Sequence, residues 1–469
     1  MNAAPFRGRH VHLIGIGGSG VSALAPLLVR CGAAVSGCDA ERSYAIERLT
    51  NQGIPVAIGH DPAHVMSADL VVHTAAVPVD HPELVAARAR GIQVMTRGQC
   101  LVELMRGTRT VAVAGSHGKT STTWMLSHLL VEAGADPVVM VGGAVGSLGG
   151  NARAGNGSAF IAEVDESDGS FAQVEPELAI VTNLDHEHLR HYGHFRVLED
   201  AFNAWLRKIP MHGACIVPSV GLSERVLEGV ICKIIRVGLE TGDWHADHLE
   251  LGADGSRCRV IGWGDDQGEM QVTIPGAHMV TNALMAAAAA RLIEPRTDFA
   301  TMARCERVRR RFTVHGTPGG VRVVEDYGHH PAEVRATISA ARLAGGRVHV
   351  LFQPHRHTRT ADCFVDFISA FDQVHGLALL PIYGAGEDAI AGVDSPALAQ
   401  AISARRGEFA AGTVIACDDE QAAVAFLARL SEPGDTCLIL GAGNVGRLAV
   451  ELCERFCQSP ADLITAREG

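Results

Sequence analysis

Thr110-Val-Ala-Val-Ala-Gly-Ser-His-Gly-Lys-Thr120 is the stretch on which the fold turns. Residues 110–114 are small, apolar or β-branched, the pattern of a strand buried on both faces. They run into Gly115-Ser-His-Gly-Lys-Thr120, after which Trp124, Leu126, Leu129 and Leu130 fall at helical spacing. A strand, a glycine loop and a helix in that order place backbone amides where they can cradle phosphates. Lys119 can then reach the β/γ oxygens and the Thr120 hydroxyl can hold Mg²⁺. The full GxxxxGK[ST] spacing needs a glycine where Val113 stands, so this loop is a shortened form. The expected ligand is a nucleoside triphosphate.

Upstream the pattern recurs. His10-Val-His-Leu-Ile14 leads into Gly15-Ile-Gly-Gly-Ser-Gly20, and Val21, Leu24, Ala25, Leu28 and Val29 follow at helical spacing. Asp39 stands nineteen residues beyond Gly20, at the end of a second strand. Gly15, Gly17, Gly18 and Gly20 let a backbone approach a diphosphate at a helix N-terminus. NAD and other nucleotide diphosphates both suit these residues. Two phosphate loops in separate domains argue for two different nucleotides. A further strand, Leu70-Val-Val72, ends in a loop that carries Thr74.

Downstream, Ala162-Glu-Val-Asp-Glu-Ser-Asp168 follows a strand, where a P-loop protein places acidic Mg²⁺ ligands. Asn183-Leu-Asp-His-Glu-His-Leu189 also follows a strand, and four histidines lie within 186–194. His-x-His hints at zinc. A hard, ATP-bound Mg²⁺ prefers oxygen, so at most one of these histidines is expected to be a magnesium ligand. Residues 212–275 read as an antiparallel insert, 276–292 as an Ala-rich helix, and Val308-Arg-Arg-Arg-Phe312 as a short basic cluster.

A third set of strands is expected at 321–324, 348–352, 377–380 and 437–440. Glu325-Asp-Tyr-Gly-His-His-Pro331 and Gln353-Pro-His-Arg-His-Thr-Arg-Thr360 follow two of them, and loops at the carboxyl ends of parallel strands share a crevice. Arg356 and Arg359 can grip a carboxylate or phosphate there.

Composition agrees with an α/β protein of about three domains for 469 residues. The net charge of −12 and the absence of a Lys/Arg run argue against a nucleic-acid or polybasic membrane partner. Twelve scattered cysteines without a CxxC pair suit a reducing compartment. No stretch approaches a membrane span and no apolar signal region opens the chain, so a soluble cytoplasmic protein is expected.

Taken together, the motifs resemble the Mur ligase family, over about residues 10 to 445. The likeness rests on the first glycine loop, Arg97, the Gly115 to Thr120 loop, Asn151-Ala-Arg153, the Glu163 to Asp168 run and Asn183 to His188. It continues through Asn282, Arg310-Arg-Phe312, Asp326-Tyr-Gly-His-His-Pro331, Gln353-Pro-His-Arg356 with Arg359-Thr360, and Gly441-Ala-Gly443. The His-His and Gln-Pro-His-Arg segments are similar to those of the branch that adds alanine.

The resemblance implies three domains: a Rossmann-like UDP-sugar domain at 1–107, a central P-loop ATPase-type domain at 108–316, and a Rossmann-like amino-acid domain at 317–469. It implies ATP-dependent ligation of L-alanine to the lactyl carboxylate of UDP-N-acetylmuramate through an acyl phosphate, with Mg²⁺ as cofactor. The third domain would close over the amino acid, in a monomer or weak homodimer. Gly115, Ser116, His117, Gly118, Lys119, Thr120, Ser121, Asn282 and Arg311 would bind ATP. Thr120, Glu163 and His188 would hold the metal. Gly15, Gly17, Gly18, Gly20, Asp39, Thr74, Arg97, Asn151, Arg153, Tyr327, His329, Arg356 and Arg359 would bind the other substrates. Lys119, His188, His329, Arg356 and Arg359 would be catalytic. Two positions depart from the family pattern: Met279 stands for an asparagine and Glu325 for an aspartate. Another Mur-type ligase, an NAD-dependent dehydrogenase and a non-catalytic nucleotide switch are the alternatives. The last two leave the His and Arg loops of the third domain without a role.

Overall fold

The computed structural model describes residues 1–457 except 75–76, 168, 187–188 and 408–412. It is an α/β protein built on three sheets. The first contains β1 (His10–Ile14), β2 (Ala34–Asp39), β3 (Val56–Ile58), β4 (Leu70–His73) and β5 (Gln93–Thr96). They lie in the order β3-β2-β1-β4-β5, all parallel. The order reverses at β1, so the loops after β1 and β4 open a crevice at the carboxyl ends of the strands.

The second sheet holds β6 (Arg109–Ala114), β7 (Val138–Val145), β8 (Gly150–Arg153), β9 (Ala159–Glu163) and β10 (Leu178–Val181). It continues with β11 (Ala214–Pro218), β12 (Lys233–Val237), β13 (Trp244–Gly252), β14 (Gly255–Gly262) and β15 (Asp265–Val272). The order is β15-β14-β13-β12-β11-β10-β6-β9-β7-β8, which sets β6 between two parallel neighbours. The antiparallel insert expected over 212–275 is corrected in its first part. β11 and β12 extend the sheet in parallel, with Ala214 opposite Lys233. The uninterrupted run Ala-Cys-Ile-Val of β11 is buried on both faces, as a parallel strand requires.

The third sheet holds β16 (Thr313–Gly316), β17 (Arg322–Asp326), β18 (Val348–Phe352), β19 (Gly376–Leu379), β20 (Thr413–Ala416) and β21 (Thr436–Leu440). The order is β16-β17-β21-β18-β19-β20, with β16 antiparallel and the others parallel.

Two compact units result. One comprises Met1–Leu249, Arg257–Gln271 and Met279–Val308, the other Glu250–Ser256, Val272–His278 and Arg309–Gly469. Inside the first unit, the helix Ser19–Arg30 packs on β7 and β8. Its Leu24, Leu27 and Leu28 share one buried cluster with Met140, Phe160 and Phe171 of the central region. Each fully buried Leu or Phe contributes about 1.5–3 kcal/mol. The glycine loop that starts this helix is thereby fixed against the second sheet. All twelve cysteines are unpaired. No helix among the described residues is long and apolar enough to cross a membrane.

Candidate active site

The phosphate loop lies between β6 and the helix Lys119–Glu132. Gly115 at φ +125° and Gly118 at φ +81° occupy backbone that favours glycine. A Cβ on Gly115 would lie 2.4 Å from Thr182 Oγ1, and one on Gly118 2.8 Å from Asn282 Oδ1. The segment after β10 shapes the loop from outside. Asn183 Oδ1 accepts the His117 N–H at 2.9 Å, while Asn183 Nδ2 donates to the His117 carbonyl at 3.0 Å. The Thr182 hydroxyl donates to the same carbonyl at 2.6 Å, and the Asp185 N–H donates to Ser116 Oγ at 2.9 Å. Ser121 is buried in the first turn of the helix. Asn282 is buried against Gly118, its amide 3.8 Å from the sulfur of Met279.

Lys119 Nζ donates to Glu166 Oε1 at 2.8 Å and Oε2 at 3.0 Å. Burial opposes the charge on Lys119, but Glu166, Asp165 and Glu163 hold its pKa above the ordinary lysine value. Burial pushes Glu166 up to about 7, against the pull of Lys119. Lys119 is therefore a charged cation with a buried counter-ion. Nothing along the chain marks this acid, among those of its run, as the partner of the lysine.

Glu163, at the end of β9, accepts the Thr120 hydroxyl at 2.8 Å and the Gly142 N–H at 3.0 Å on the same oxygen. A hydroxyl and a carboxylate at a phosphate loop are hard oxygen donors, the set that suits Mg²⁺. His188, the third expected metal residue, lies outside the described residues.

Glu163 also lines a cavity of about 290 Å³. Gly18, Ser19, Gly20, Thr74 and Arg97 form one wall, and Met140, Gly142, Glu163 and Asp165 the other. The Arg97 side chain lies over Gly20, where a Cβ would meet its Cδ at 2.6 Å. Its Nη2 is 3.9 Å from Asp165 Oδ2. Burial works against ionised Asp165, but Lys119 and Arg97 prevail and lower its pKa. Asp39 Oδ2 accepts the Gly17 N–H at 2.8 Å, which braces the glycine loop. Asn151 and Arg153 do not line this cavity. Asn151 donates to the Ser19 carbonyl at 2.5 Å and accepts from Arg48 at 3.0 Å, tying β8 to the helix Ser19–Arg30. Arg153 pairs with Asp136 at 2.6 Å and donates to the Pro137 carbonyl at 2.9 Å.

In the second unit, Tyr327 to His330 follow β17, Gln353 to Arg359 follow β18, and Gly441 to Gly443 follow β21, three adjacent strands. His329 Nδ1–H donates to the Tyr327 carbonyl at 3.0 Å, which leaves the lone pair on Nε2. Burial, opposed by Glu333 and aided by Arg359, pushes His329 down to about 3. It is neutral at physiological pH. The His355 ring lies 5.9 Å from His329, and Arg359 Nη1 donates to the His355 carbonyl at 3.3 Å. Arg356 has φ +72° and donates its N–H to the Tyr383 carbonyl at 2.8 Å. Its half-exposed guanidinium is 3.7 Å from Glu387. Such backbone strain costs about 1–3 kcal/mol and collects at ligand clamps. Arg311 sits over the Tyr327 ring at 5.2 Å. Its neighbour Arg310, not singled out as a ligand residue from the sequence, bonds Glu325 at 2.8 Å and the Gly441 and Gly443 carbonyls at 2.7 Å each, fixing that loop.

Comparison with known proteins accounts for most of the chain. Residues 10–109 match the catalytic domain of the Mur ligase family, 113–290 the Mur ligase middle domain, and 310–443 the Mur ligase glutamate ligase domain. The UDP-N-acetylmuramate–L-alanine ligase of Sorangium cellulosum is 42% identical over 453 residues, covering 94% of this chain and 95% of that protein. That of Symbiobacterium thermophilum is 39% identical over 477 residues, covering 99% and 98%. The crystal structure of the UDP-N-acetylmuramate–alanine ligase of Thermotoga maritima shares the fold, with a TM-score of 0.79 at 24% identity over 96% of this chain and 99% of that one.

Proposed function

The chain belongs to the Mur ligase family, and we propose that it joins L-alanine to the lactyl carboxylate of UDP-N-acetylmuramate while ATP is cleaved to ADP and phosphate, a step of peptidoglycan synthesis. The observation that carries this reading is the double position of Glu163. Its carboxylate is bonded to Thr120 of the ATP loop and also lines the cavity beneath the first glycine loop. A carboxylate held in that cavity stands beside the terminal phosphate of ATP held by the loop. A dehydrogenase reading fares worse, because Asp39 directs its Oδ2 to Gly17 rather than leaving it free for a ribose diol.

A carboxylate is a poor acceptor for an amine and must be activated. The lactyl carboxylate attacks the γ-phosphorus in line, the bond to the β,γ-bridging oxygen breaks to release ADP, and an acyl phosphate forms. The alanine amine attacks that carbonyl, and the tetrahedral intermediate expels phosphate. Transfer of this kind depends on positioning and charge neutralisation. Gly115, Ser116, His117, Gly118 and Ser121 cradle the phosphates, with Asn282 packed beside them, and Arg311 is a further residue for ATP. Lys119, charged beforehand by Glu166, moves onto the β/γ oxygens. Thr120 and Glu163, with His188, would hold Mg²⁺, which when bound neutralises phosphate oxygens. Gly15, Gly17, Gly18 and Gly20 take the diphosphate of the UDP-sugar, braced by Asp39, with Thr74 and Arg97 at the cavity. Asn151 acts by joining β8 to the helix of that loop. Arg356 and Arg359 take the alanine carboxylate beside Tyr327. His329 Nε2 accepts a hydrogen bond from the amine and orients it; a pKa of about 3 makes it a weak proton sink.

Segments 1–107, 108–316 and 317–469 serve the UDP-sugar, ATP and the amino acid respectively, in a cytoplasmic monomer or weak homodimer. Incubation with ATP, UDP-N-acetylmuramate and L-alanine, glycine or L-serine in turn, read by product mass, tests the assignment. Product with L-alanine in preference to the other two is expected. Product with none of the three would overturn it.

A further inference from the structure

We propose that the first sheet carries a second metal site, in which His12, Cys38, His64 and Glu83 bind one Zn²⁺-class ion. His12 lies on β1, Cys38 on β2, His64 in the short turn Pro62–Val65, and Glu83 at the start of the helix Pro82–Ala89. Glu83 and Cys38 are fully buried and His12 is 2% exposed. One donor atom from each of the four lies within 4.8 Å of all the others.

The spacings suit a tetrahedral ion. Bonds of about 2.0–2.3 Å to nitrogen, oxygen and sulfur give ligand-to-ligand edges of roughly 3.3–3.8 Å. His12 Nε2 is 3.4 Å from Cys38 Sγ, and Cys38 Sγ is 3.2 and 3.3 Å from the two Glu83 oxygens. His64 Nδ1 stands 2.8 Å from Glu83 Oε1, a shorter edge that an ion would open slightly.

The protons point the same way. His10 Nδ1–H donates to the Ser67 carbonyl at 2.9 Å, so His10 Nε2 accepts the Ser36 hydroxyl at 2.8 Å. Ser36 Oγ then accepts His12 Nδ1–H at 2.8 Å, which leaves the lone pair of His12 Nε2 aimed at Cys38. Cys38 has one thiol proton. It faces both that lone pair and the Glu83 carboxylate, and can satisfy only one of them. An ion at their centre removes the conflict. The thiol releases its proton to solvent, and thiolate, carboxylate and two imidazoles supply the electron pairs. The two anionic ligands cancel the 2+ charge, so no net charge is buried.

Nitrogen and sulfur donors select Zn²⁺ or a similar transition ion over Mg²⁺. His60 Nδ1 lies 3.2 Å from Glu83 Oε2 and orients the carboxylate, and His81 packs edge-on against His60 at 4.6 Å. The site is joined to the UDP-sugar loop. The Cys38 carbonyl accepts the N–H groups of Gly15 at 2.9 Å and Ile16 at 3.1 Å. A bound ion therefore stiffens the strand end that shapes the glycine loop.

The test uses the full chain, freed of metal with a chelator and titrated with Co²⁺ and then Zn²⁺. One Co²⁺ per chain is expected, with tetrahedral visible bands and a sulfur-to-cobalt charge-transfer band, both displaced by one equivalent of Zn²⁺. The proposed magnesium residues Thr120, Glu163 and His188 offer oxygen and nitrogen but no sulfur, so that site cannot give the sulfur band. Cys38→Ser should abolish that band. His64→Gln, at a partly exposed position, should weaken Zn²⁺ by more than the roughly 10–100-fold that loss of an outer partner costs. Absence of the sulfur band in the unaltered chain, its persistence in Cys38→Ser, or unchanged Zn²⁺ affinity in folded His64→Gln would each overturn the proposal.

Discussion

Lys119 and Glu166 show how much of a site is invisible along the chain, because their 2.8 Å contact joins positions that the sequence separates by a helix and three strands. Lys119→Ala should lower kcat by roughly 10²–10³ or more, as loss of a donor to developing charge does. UDP-N-acetylmuramate binding, followed by calorimetry, should remain. The two acids should separate cleanly. Glu163→Gln should keep the unfolding midpoint and lose activity across a Mg²⁺ titration. Glu166→Gln should lower the midpoint, because breaking a buried ion pair costs about 3–5 kcal/mol. Equal midpoints in denaturant would place Glu166 elsewhere than beside Lys119. Arg356 belongs to the chemistry of alanine, so Arg356→Ala should keep ATP affinity, raise the alanine requirement and cut product formation roughly 10²–10³-fold. Arg356→Gly should relieve the backbone at φ +72° and melt no lower than the parent while remaining as inactive. Weakened ATP binding with normal alanine dependence would move Arg356 to the nucleotide.

At the scale of elements, the legible parts were those buried on both faces. β1, β4, β6, β10, β18 and β21 read as apolar runs because both of their faces are covered by protein. β3, β5, β16 and β20 are the edges of the first and third sheets, and none of their residues is buried. β7 escaped for another reason, since Gly142-Gly143 interrupts its apolar stretch. The glycine loops were legible because close approach leaves no alternative residue, whereas Asn183, which shapes the phosphate loop through side-chain bonds, has no such signature. The first loop yields a direct test. A Cβ on Gly17 would lie 2.9 Å from both Asp39 Oδ2 and Ser43 Oγ. Gly17→Ala should therefore weaken UDP-N-acetylmuramate in calorimetry and leave ATP binding intact. Parallel weakening of ATP would mean that the two loops do not serve separate ligands.

Over the whole molecule, acid sensitivity has a definite origin in the third sheet. Asp435 accepts from Arg347 Nη2 at 2.9 Å, the Glu432 N–H at 2.9 Å and His349 Nε2 at 3.1 Å. Burial works against the carboxylate, but Arg347, the amides and His349 outweigh it and hold its pKa near 2 against an ordinary 3.8. The folded value lies below the unfolded one, so this stabilisation is complete above the ordinary value and fades as pH falls towards 2. Unfolding midpoints taken across that range should drop for the parent, and Asp435→Asn should start lower and vary less. In the proposed reaction one chain couples ATP cleavage to amide formation between a UDP-sugar acid and alanine. Its most direct test is sustained ADP and phosphate release with Mg²⁺ when each substrate is omitted in turn. Release should require UDP-N-acetylmuramate and L-alanine together and should match UDP-N-acetylmuramoyl-L-alanine mole for mole. Equal release with either omitted, or product formed without ATP, would contradict it.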